Sequence, residues 1–287
     1  ESPGGRDSGG DPDALPWLEY GTVKDFHTCY YHPANTLTIV SSDLPTEQHL
    51  RFFADAAFDA FERTSVQVPA NVQPQWPSPA YIHRTYPADS QDRGSEGAVV
   101  ISWYTNAATD IQAVIAMHLI ADLLLGHAGA PLRKALVESR LGQELTDSGY
   151  DTGAREAYFT VGLIGAPPGR AEDIQKRVFE TLNEVAQRGF TPEEVEKALN
   201  RYEIRLRQES LDRPLGLVEQ VTHGWRYQQD PLYWLHTDEL SRWFRGRLKK
   251  EPDLLKRYLS RLLCRNPHYV VCSYEPDPEF QQRREKT

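Results

Sequence analysis

The order in which the hydrophobic period changes along the sequence is the feature that most constrains its fold. After residue 80, strand-like segments come early, helical spacing dominates later, and one strand-like segment closes the region. The predicted strands are 80–86, 97–105, 144–150, 157–164 and 268–274. The predicted helices begin near residues 109, 131, 171, 191, 215, 235 and 252. Because strands and helices do not alternate regularly, this order predicts an α+β fold rather than βαβ winding.

Three of these helices carry clear start signals. Thr109 or Asp110 can cap the first of them, and Pro131 suits the first position of another. Thr191 followed by Glu194 matches a capping box, in which each residue satisfies a backbone amide of the other. These signals support the helical interpretation independently of the hydrophobic spacing.

The first 64 residues predict a smaller and incomplete unit. Residues 21–31 favour a helix, the turn His32-Pro33-Ala34-Asn35 ends it, and residues 36–40 favour a buried strand. Thr46 can cap a second helix. The apolar side chains of that helix share one face: Leu50, Phe53, Ala54, Ala57, Phe58 and Phe61. We expect this face to be exposed and to pack on the second domain or on a second copy of the chain.

Prolines interrupt the pattern between residues 66 and 79, where we place a domain boundary. The predicted organisation is a partial domain over 1–64, a linker over 65–79, a second domain over 80–278 and the start of another linker over 279–287. The N-terminus has neither a basic nor an apolar leader, and the only methionine is Met117. We therefore expect the sequence to begin within a longer protein.

Charge and composition exclude several classes of partner. The net charge of −9 is opposite to what phosphate neutralisation requires, so nucleic acid is not expected. Because there is no apolar run of roughly 18 residues, no membrane span is expected either. The three cysteines are odd in number and form no Cys-x-x-Cys pair, which argues against a disulfide framework or a structural zinc site. The cytoplasm or an organelle matrix is the favoured compartment.

The nine histidines do not form a metal-binding motif. Two imidazoles must lie one helical turn apart to hold a single metal ion, with a glutamate beside them to activate water. Neither His-x-x-Glu-His nor His-Glu-x-x-His occurs in the sequence. We therefore predict no catalytic residue, no metal ligand and no cofactor within this chain.

Three groups of motifs resemble one metallopeptidase family. The first runs from Ser8-Gly9-Gly10-Asp11-Pro12 through Leu15-Pro16 to Tyr30-Tyr31-His32-Pro33-Ala34-Asn35. The second joins Leu124-Leu125-Gly126 to the segment 130–138, and the third joins Asn266-Pro267-His268 to Pro276-Asp277-Pro278-Glu279. In order and spacing they resemble the presequence-protease and falcilysin branch of the pitrilysin/insulinase zinc metallopeptidases.

The resemblance implies a fold and an activity for the longer protein. The expected fold is an α+β sandwich domain, with a mostly antiparallel sheet packed by helices, preceded by a partial copy of the same fold. Members of the family cleave short unstructured peptides in a chamber, with zinc held in a first domain by His-x-x-Glu-His. This chain resembles the end of that domain and the whole of the next one. Zinc is therefore expected in the parent protein and not in residues 1–287.

The resemblance also implies a substrate-binding surface. In insulin-degrading relatives, an edge strand and a glycine-containing loop of the second domain hold the N-terminal part of the peptide. The corresponding residues here are Gly126, His127, Gly129, Ala157, Tyr158, Phe159 and Thr160. An edge strand can accept an extended peptide through its unpaired backbone groups. The expected partners are unstructured peptides and the remaining domains of the parent chain.

Two other functions remain open on the sequence alone. The parent could keep the fold without the metal site and serve as a binding or assembly subunit. Alternatively, the chain could act as a stand-alone peptide-binding module. An intact His-x-x-Glu-His motif upstream would favour the enzyme, and peptide titration of the chain would test the module.

Overall fold

The computed structural model of the protein describes residues 9–66, 72–88, 97–212 and 214–280. Ser8 of the first motif, residues 67–71 of the predicted linker and residues 281–287 lie outside this part of the chain. The chain divides into two compact units, each described separately below. One comprises residues 1–73 and 209–235, and the other comprises residues 74–208 and 236–287.

The described elements follow one another in a mixed order of strands and helices. The strands are β1 (Ala80–Pro87), β2 (Gly97–Ala107), β3 (Glu144–Leu145), β4 (Gly149–Asp151), β5 (Glu156–Ala166) and β6 (Tyr269–Asp277). The first helices are α1 (Tyr20–Tyr30), α2 (Thr46–Phe53), α3 (Ile111–Leu125), α4 (Pro131–Ser139) and α5 (Ala171–Arg188). The later helices are α6 (Pro192–Asp212), α7 (Pro214–Arg226), α8 (Thr237–Lys250) and α9 (Leu254–Leu259). The α+β class predicted from the sequence is confirmed.

The unit that contains residues 74–208 and 236–287 is built on a six-stranded sheet. The strand order is β1-β6-β2-β5-β3, and β4 also pairs with β5. Only the β1–β6 pair is parallel, whereas the other strand pairs are antiparallel. This agrees with the expected mostly antiparallel sheet. The predicted strand over 144–150 is present as two short strands instead of one. Thr146 still donates to the carbonyl of Gly162 at 3.1 Å, and regular pairing resumes only at Gly149.

Helices cover one face of this sheet and form the core with it. Val99, Ile101 and Trp103 alternate along β2 and are buried on that face. The ring of Trp103 lies 5.6 Å from that of Phe179 on α5, measured between centroids. The π-helical segment Ser260–Cys264 that follows α9 packs against β2 as well. Because successive side chains of a strand point to opposite sides, the sheet has one buried face and one more exposed face.

The start signals read from the sequence act as expected. The carboxylate of Asp110 accepts a hydrogen bond from the amide of Ala113 at 3.0 Å and so caps α3. Pro131 is the first residue of α4. Thr191 and Glu194 satisfy each other's amides at 2.8 and 3.2 Å, which completes a capping box before α6.

The unit that contains residues 1–73 and 209–235 is helical among its described residues. The helix predicted over 21–31 is confirmed as α1. The strand predicted over 36–40 is wrong: Thr36 is extended, but all six strands of the described chain belong to the other unit, so this segment has no ladder to join. Thr46 is the first residue of α2 and not its cap, which is Pro45. Leu50 and Phe61, from the predicted apolar face, are exposed.

Candidate functional site

The face of the sheet opposite the helices is the most extended candidate surface. Its side chains come from alternate positions of four strands. Ala98 is the register partner of both Ile164 and Tyr274, so these three side chains lie on the same face. Four large side chains on this face are 36–49% exposed: Ile82, Tyr158, Ile164 and Tyr274. Between them, the hydroxyls of Ser102 and Thr160 are hydrogen-bonded at 2.9 Å. We refer to this surface as the open face; it carries apolar, aromatic and hydroxyl side chains. The charged residues Arg84, Glu144 and Asp151 share it as register partners of Tyr274, Ile164 and Tyr158.

The structure separates the four predicted site residues of β5. Tyr158 and Thr160 lie on the open face, opposite Tyr104 and Ser102 of β2. Ala157 and Phe159 point to the helical side and are fully buried. Their side chains therefore belong to the core and have no access to a peptide on the open face.

The interpretation of residues 157–160 as an edge is wrong for most of that segment. Tyr158, Phe159 and Thr160 pair with β2 on one side and with β4 on the other. A strand with partners on both sides has no free ladder to offer. Within the part of the chain that the structure describes, the strands outside β5 are β3 and β4, so Gly149–Asp151 forms the edge at this position.

The side chain of Tyr150 anchors this edge. Its hydroxyl donates a hydrogen bond to Oδ1 of Asn106 at 3.0 Å. Its ring meets the imidazole of His118 edge to face, with 4.9 Å between centroids. Burial raises the pKa of Tyr150, while burial and the nearby charge of Arg205 lower the pKa of His118 to about 3. Both groups are therefore neutral at physiological pH and act as packing groups.

The predicted loop Gly126–Ala130 follows the end of α3. A Cβ atom on Gly126 would lie 2.5 Å from Oδ1 and 2.6 Å from the carbonyl oxygen of Asp122, so only glycine fits there. The guanidinium of Arg201 holds the Asp122 carboxylate through more than one hydrogen bond. The amide of Ala130 donates to the carbonyl of His127 at 2.9 Å, and the His127 and Gly129 side of the loop is exposed. The amide of Gly126 donates to the carbonyl of Asp122 at 2.8 Å, which ties the start of the loop to its own helix.

The structure does not bring the two predicted segments together. The amide of Ala108 donates to the carbonyl of Arg155 at 2.7 Å, which sets the start of α3 beside the start of β5. Gly126 follows the other end of this 15-residue helix, about 22 Å away along its axis. The β4 edge lies nearer, because Tyr150 meets α3 at His118, about 12 Å along the axis from Gly126.

The strand predicted over 144–150 includes Gly149 and Tyr150, but sequence reasoning did not identify them as the edge of the sheet. The strand Gly149–Asp151 is three residues long, too short to show a period of two. Gly149 and Gly153 on either side of Tyr150 were the available signal, since glycines commonly delimit a short strand.

The described residues do not provide a zinc site. Within residues 9–66, 72–88, 97–212 and 214–280, no three His, Cys, Asp or Glu side chains come together in a way that could hold a metal ion. Nor does any helix in that part of the chain combine the length and apolar character needed to cross a membrane.

A mostly antiparallel sheet with helices on one face and an open opposite face defines an α+β domain with an extended exposed surface. The family model described as the Peptidase M16 inactive domain matches residues 18–202. The chain therefore belongs to the M16 peptidase family. The family predicted from the motifs is confirmed, as is the interpretation of this region as a non-catalytic domain.

Known relatives and structures agree with this assignment. The chain is 30% identical over 280 residues to the mitochondrial presequence protease of Mus musculus, covering 96% of this chain and 27% of that protein. It thus spans about a quarter of the length of the curated relatives it matches. A protease from Helicobacter pylori matches with a TM-score of 0.73 at 17% identity, over 93% of this chain and 61% of the other. A peptidase M16 inactive domain from Pseudomonas fluorescens matches with a TM-score of 0.70 at 19% identity, over 94% of this chain and 61% of the other. At such identities the structural matches show the fold alone.

Proposed function

We propose that this chain is the non-catalytic, peptide-contacting part of a zinc metalloendopeptidase that degrades short unstructured peptides. The observation that supports this most is the open face of the sheet, which exposes Tyr158 next to β4 and carries Ile164 and Tyr274 farther from that edge. An apolar and aromatic surface bordered by strand backbone suits an extended peptide of variable sequence, because the backbone groups carry the affinity. This role needs no metal ligand from residues 1–287.

The peptide is proposed to lie along Gly149–Asp151 and across the adjacent open face. Backbone hydrogen bonds to β4 would extend the sheet by one strand, and alternate peptide side chains would then contact Tyr158. The carboxylate of Asp151 lies close enough to Tyr158 to raise the pKa of its phenol, after the larger effect of burial. This end of the surface is therefore acidic. Gly126, His127 and Gly129 are proposed to contact a more distant part of the same peptide.

The remaining features of the proposed parent protein follow from the family. Zinc would be held by a His-x-x-Glu-His motif outside residues 1–287, and the further domains of the parent would enclose the peptide. The apolar side chains exposed over 1–64 are proposed to contact those domains, or a second copy of the chain. The domain boundaries 1–64, 65–79 and 80–278 are part of this proposal. An organelle matrix is the proposed compartment, because the Mus musculus relative is a mitochondrial protein.

The test is a cleavage assay of the complete natural protein on unstructured peptides, with and without a chelator. The proposal expects cleavage that the chelator abolishes and zinc restores, and a higher KM when Tyr158 is replaced by alanine. Ile204→Ala, which removes an exposed side chain on α6, is the matched control. Chelator-insensitive cleavage would contradict the proposal. Peptide binding without any cleavage would instead favour the binding or assembly subunit.

A further inference from the structure

Consecutive residues of α6 contact the supports of both proposed peptide-binding segments. Arg201 binds the carboxylate of Asp122, which lies against Gly126 at the base of the 126–130 loop. Tyr202 packs its ring against His118 at 5.7 Å between centroids, and His118 in turn contacts Tyr150 of the β4 edge. His118 and Asp122 are four residues apart on α3, so they share the face that meets α6.

The opposite face of α6 is held by α8. Arg245 donates to Glu203 at 2.7 Å, to Glu196 at 2.7 and 2.8 Å, and to Asn200 at 2.8 Å. Glu203 also accepts a hydrogen bond from the hydroxyl of Ser241. These acceptors follow a helical spacing of three to four residues, which places them on one side of α6. A helix fixed along this side presents Arg201 and Tyr202 in defined positions.

We propose that α6 is a brace that fixes the spacing between the 126–130 loop and the β4 edge, with Arg201 and Tyr202 as positioning residues. The inference rests on the proposed function for its purpose and on the contacts above for its geometry. A peptide that spans both segments binds most tightly when their separation is set before it arrives, since less ordering is then required on binding. The brace supplies this order through charge-assisted hydrogen bonds on one side and ring packing on the other.

The two contacts resist change for different physical reasons. The Arg201 guanidinium donates from two nitrogen atoms, so it fixes the orientation of the Asp122 carboxylate as well as its position. The cluster of Tyr202, His118 and Tyr150 contains no charged ring at physiological pH, so it packs like an apolar contact. Tyr202 is buried, whereas Arg201 is partly exposed, so the two can be perturbed separately.

Hydrogen exchange measured by mass spectrometry tests the brace on the full chain without any peptide. Arg201→Met is expected to accelerate exchange of the amides in 126–130 by about tenfold, because a hydrogen-bonded charge is lost at their support. Tyr202→Leu is expected to accelerate exchange in 149–151 by a similar factor. Lys197→Met and Ile204→Ala change exposed positions of the same helix. Both control variants should leave the exchange rates of 126–130 and 149–151 as they are in the unsubstituted chain. Unchanged exchange, or an equal rise throughout the chain, would overturn the brace.

Peptide binding separates failure of the brace from failure of the proposed function. The probe is a fluorescein-labelled, unstructured peptide of mixed glycine, serine, alanine, valine and tyrosine residues. Arg201→Met and Tyr202→Leu are expected to raise the Kd of the probe about tenfold. Tyr150→Phe loses only the hydrogen bond to Asn106 and is expected to raise the Kd by less. If the unsubstituted chain binds the probe and these variants bind it equally well, the brace is refuted. If the unsubstituted chain does not bind the probe, the proposed function fails, and the hydrogen-exchange experiment alone decides whether α6 is a brace.

Discussion

Phe159 and Tyr158 are neighbours on β5 whose side chains point to opposite faces, so truncating each one separates stability from peptide binding. Phe159 is fully buried and its ring lies 6.0 Å from that of Trp103, whereas Tyr158 is 38% exposed. Replacing a buried Phe by Ala removes its transfer free energy and leaves a cavity, at a cost of about 3–5 kcal/mol. We therefore expect Phe159→Ala to lower the free energy of unfolding by about 4 kcal/mol.

Thermal and urea denaturation followed by circular dichroism measure this difference. For a unit of this size, a loss of about 4 kcal/mol lowers the midpoint temperature by roughly 8–16 °C. Tyr158→Ala removes one member of a cross-strand pair with Tyr104 on the open face and should cost about 1 kcal/mol or less. The same variant should weaken binding of the unstructured probe peptide several-fold. Equal destabilisation by the two variants would refute the assignment of these side chains to opposite faces.

Three further predictions concern the supports of the surface. Gly126→Ala places a methyl group against Asp122 and should cost about 2 kcal/mol in the free energy of unfolding, measured by urea titration. Asn266→Ala removes three hydrogen bonds of a buried side chain and should cost about 3 kcal/mol by the same measurement. Because the folded-state pKa of His118 is lowered to about 3, its contribution to stability is full above pH 6.5 and is lost as the pH falls towards 3. The slope contributed is up to about 1.4 kcal/mol per pH unit, and His118→Leu should flatten the stability profile between pH 6 and 5. An unchanged profile would contradict the buried, neutral state of this histidine.

Local signals in the sequence were sufficient for the elements that local interactions determine. The cap at Asp110, the first-turn Pro131 and the capping box at Thr191 depend on residues within three or four positions of each other, so they are readable from sequence. The hydrophobic period likewise distinguished the long strands β2 and β5 from the long helices. These signals, together with the motifs, predicted the fold class and the family.

The edge of the sheet could not be predicted because it depends on long-range pairing. Residues 36–40 have strand-like composition, but composition does not supply a partner strand. The pairing of Phe159 with both Trp103 and Tyr150 is set by register between distant segments. Sequence alone therefore assigned the edge to 157–160, whereas the structure places it one strand farther out, at β4.

Photo-crosslinking tests the central claim most directly. The complete natural protein would be irradiated with an unstructured peptide carrying benzoylphenylalanine, and the crosslinked residues would be mapped by mass spectrometry. We expect crosslinks to concentrate at Gly149–Asp151, Tyr158 and Ile164, and to decrease when unlabelled peptide competes. Crosslinks confined to the helical side, for example along the exposed positions of α5 and α6, would contradict the account that the open face and its β4 edge hold the peptide.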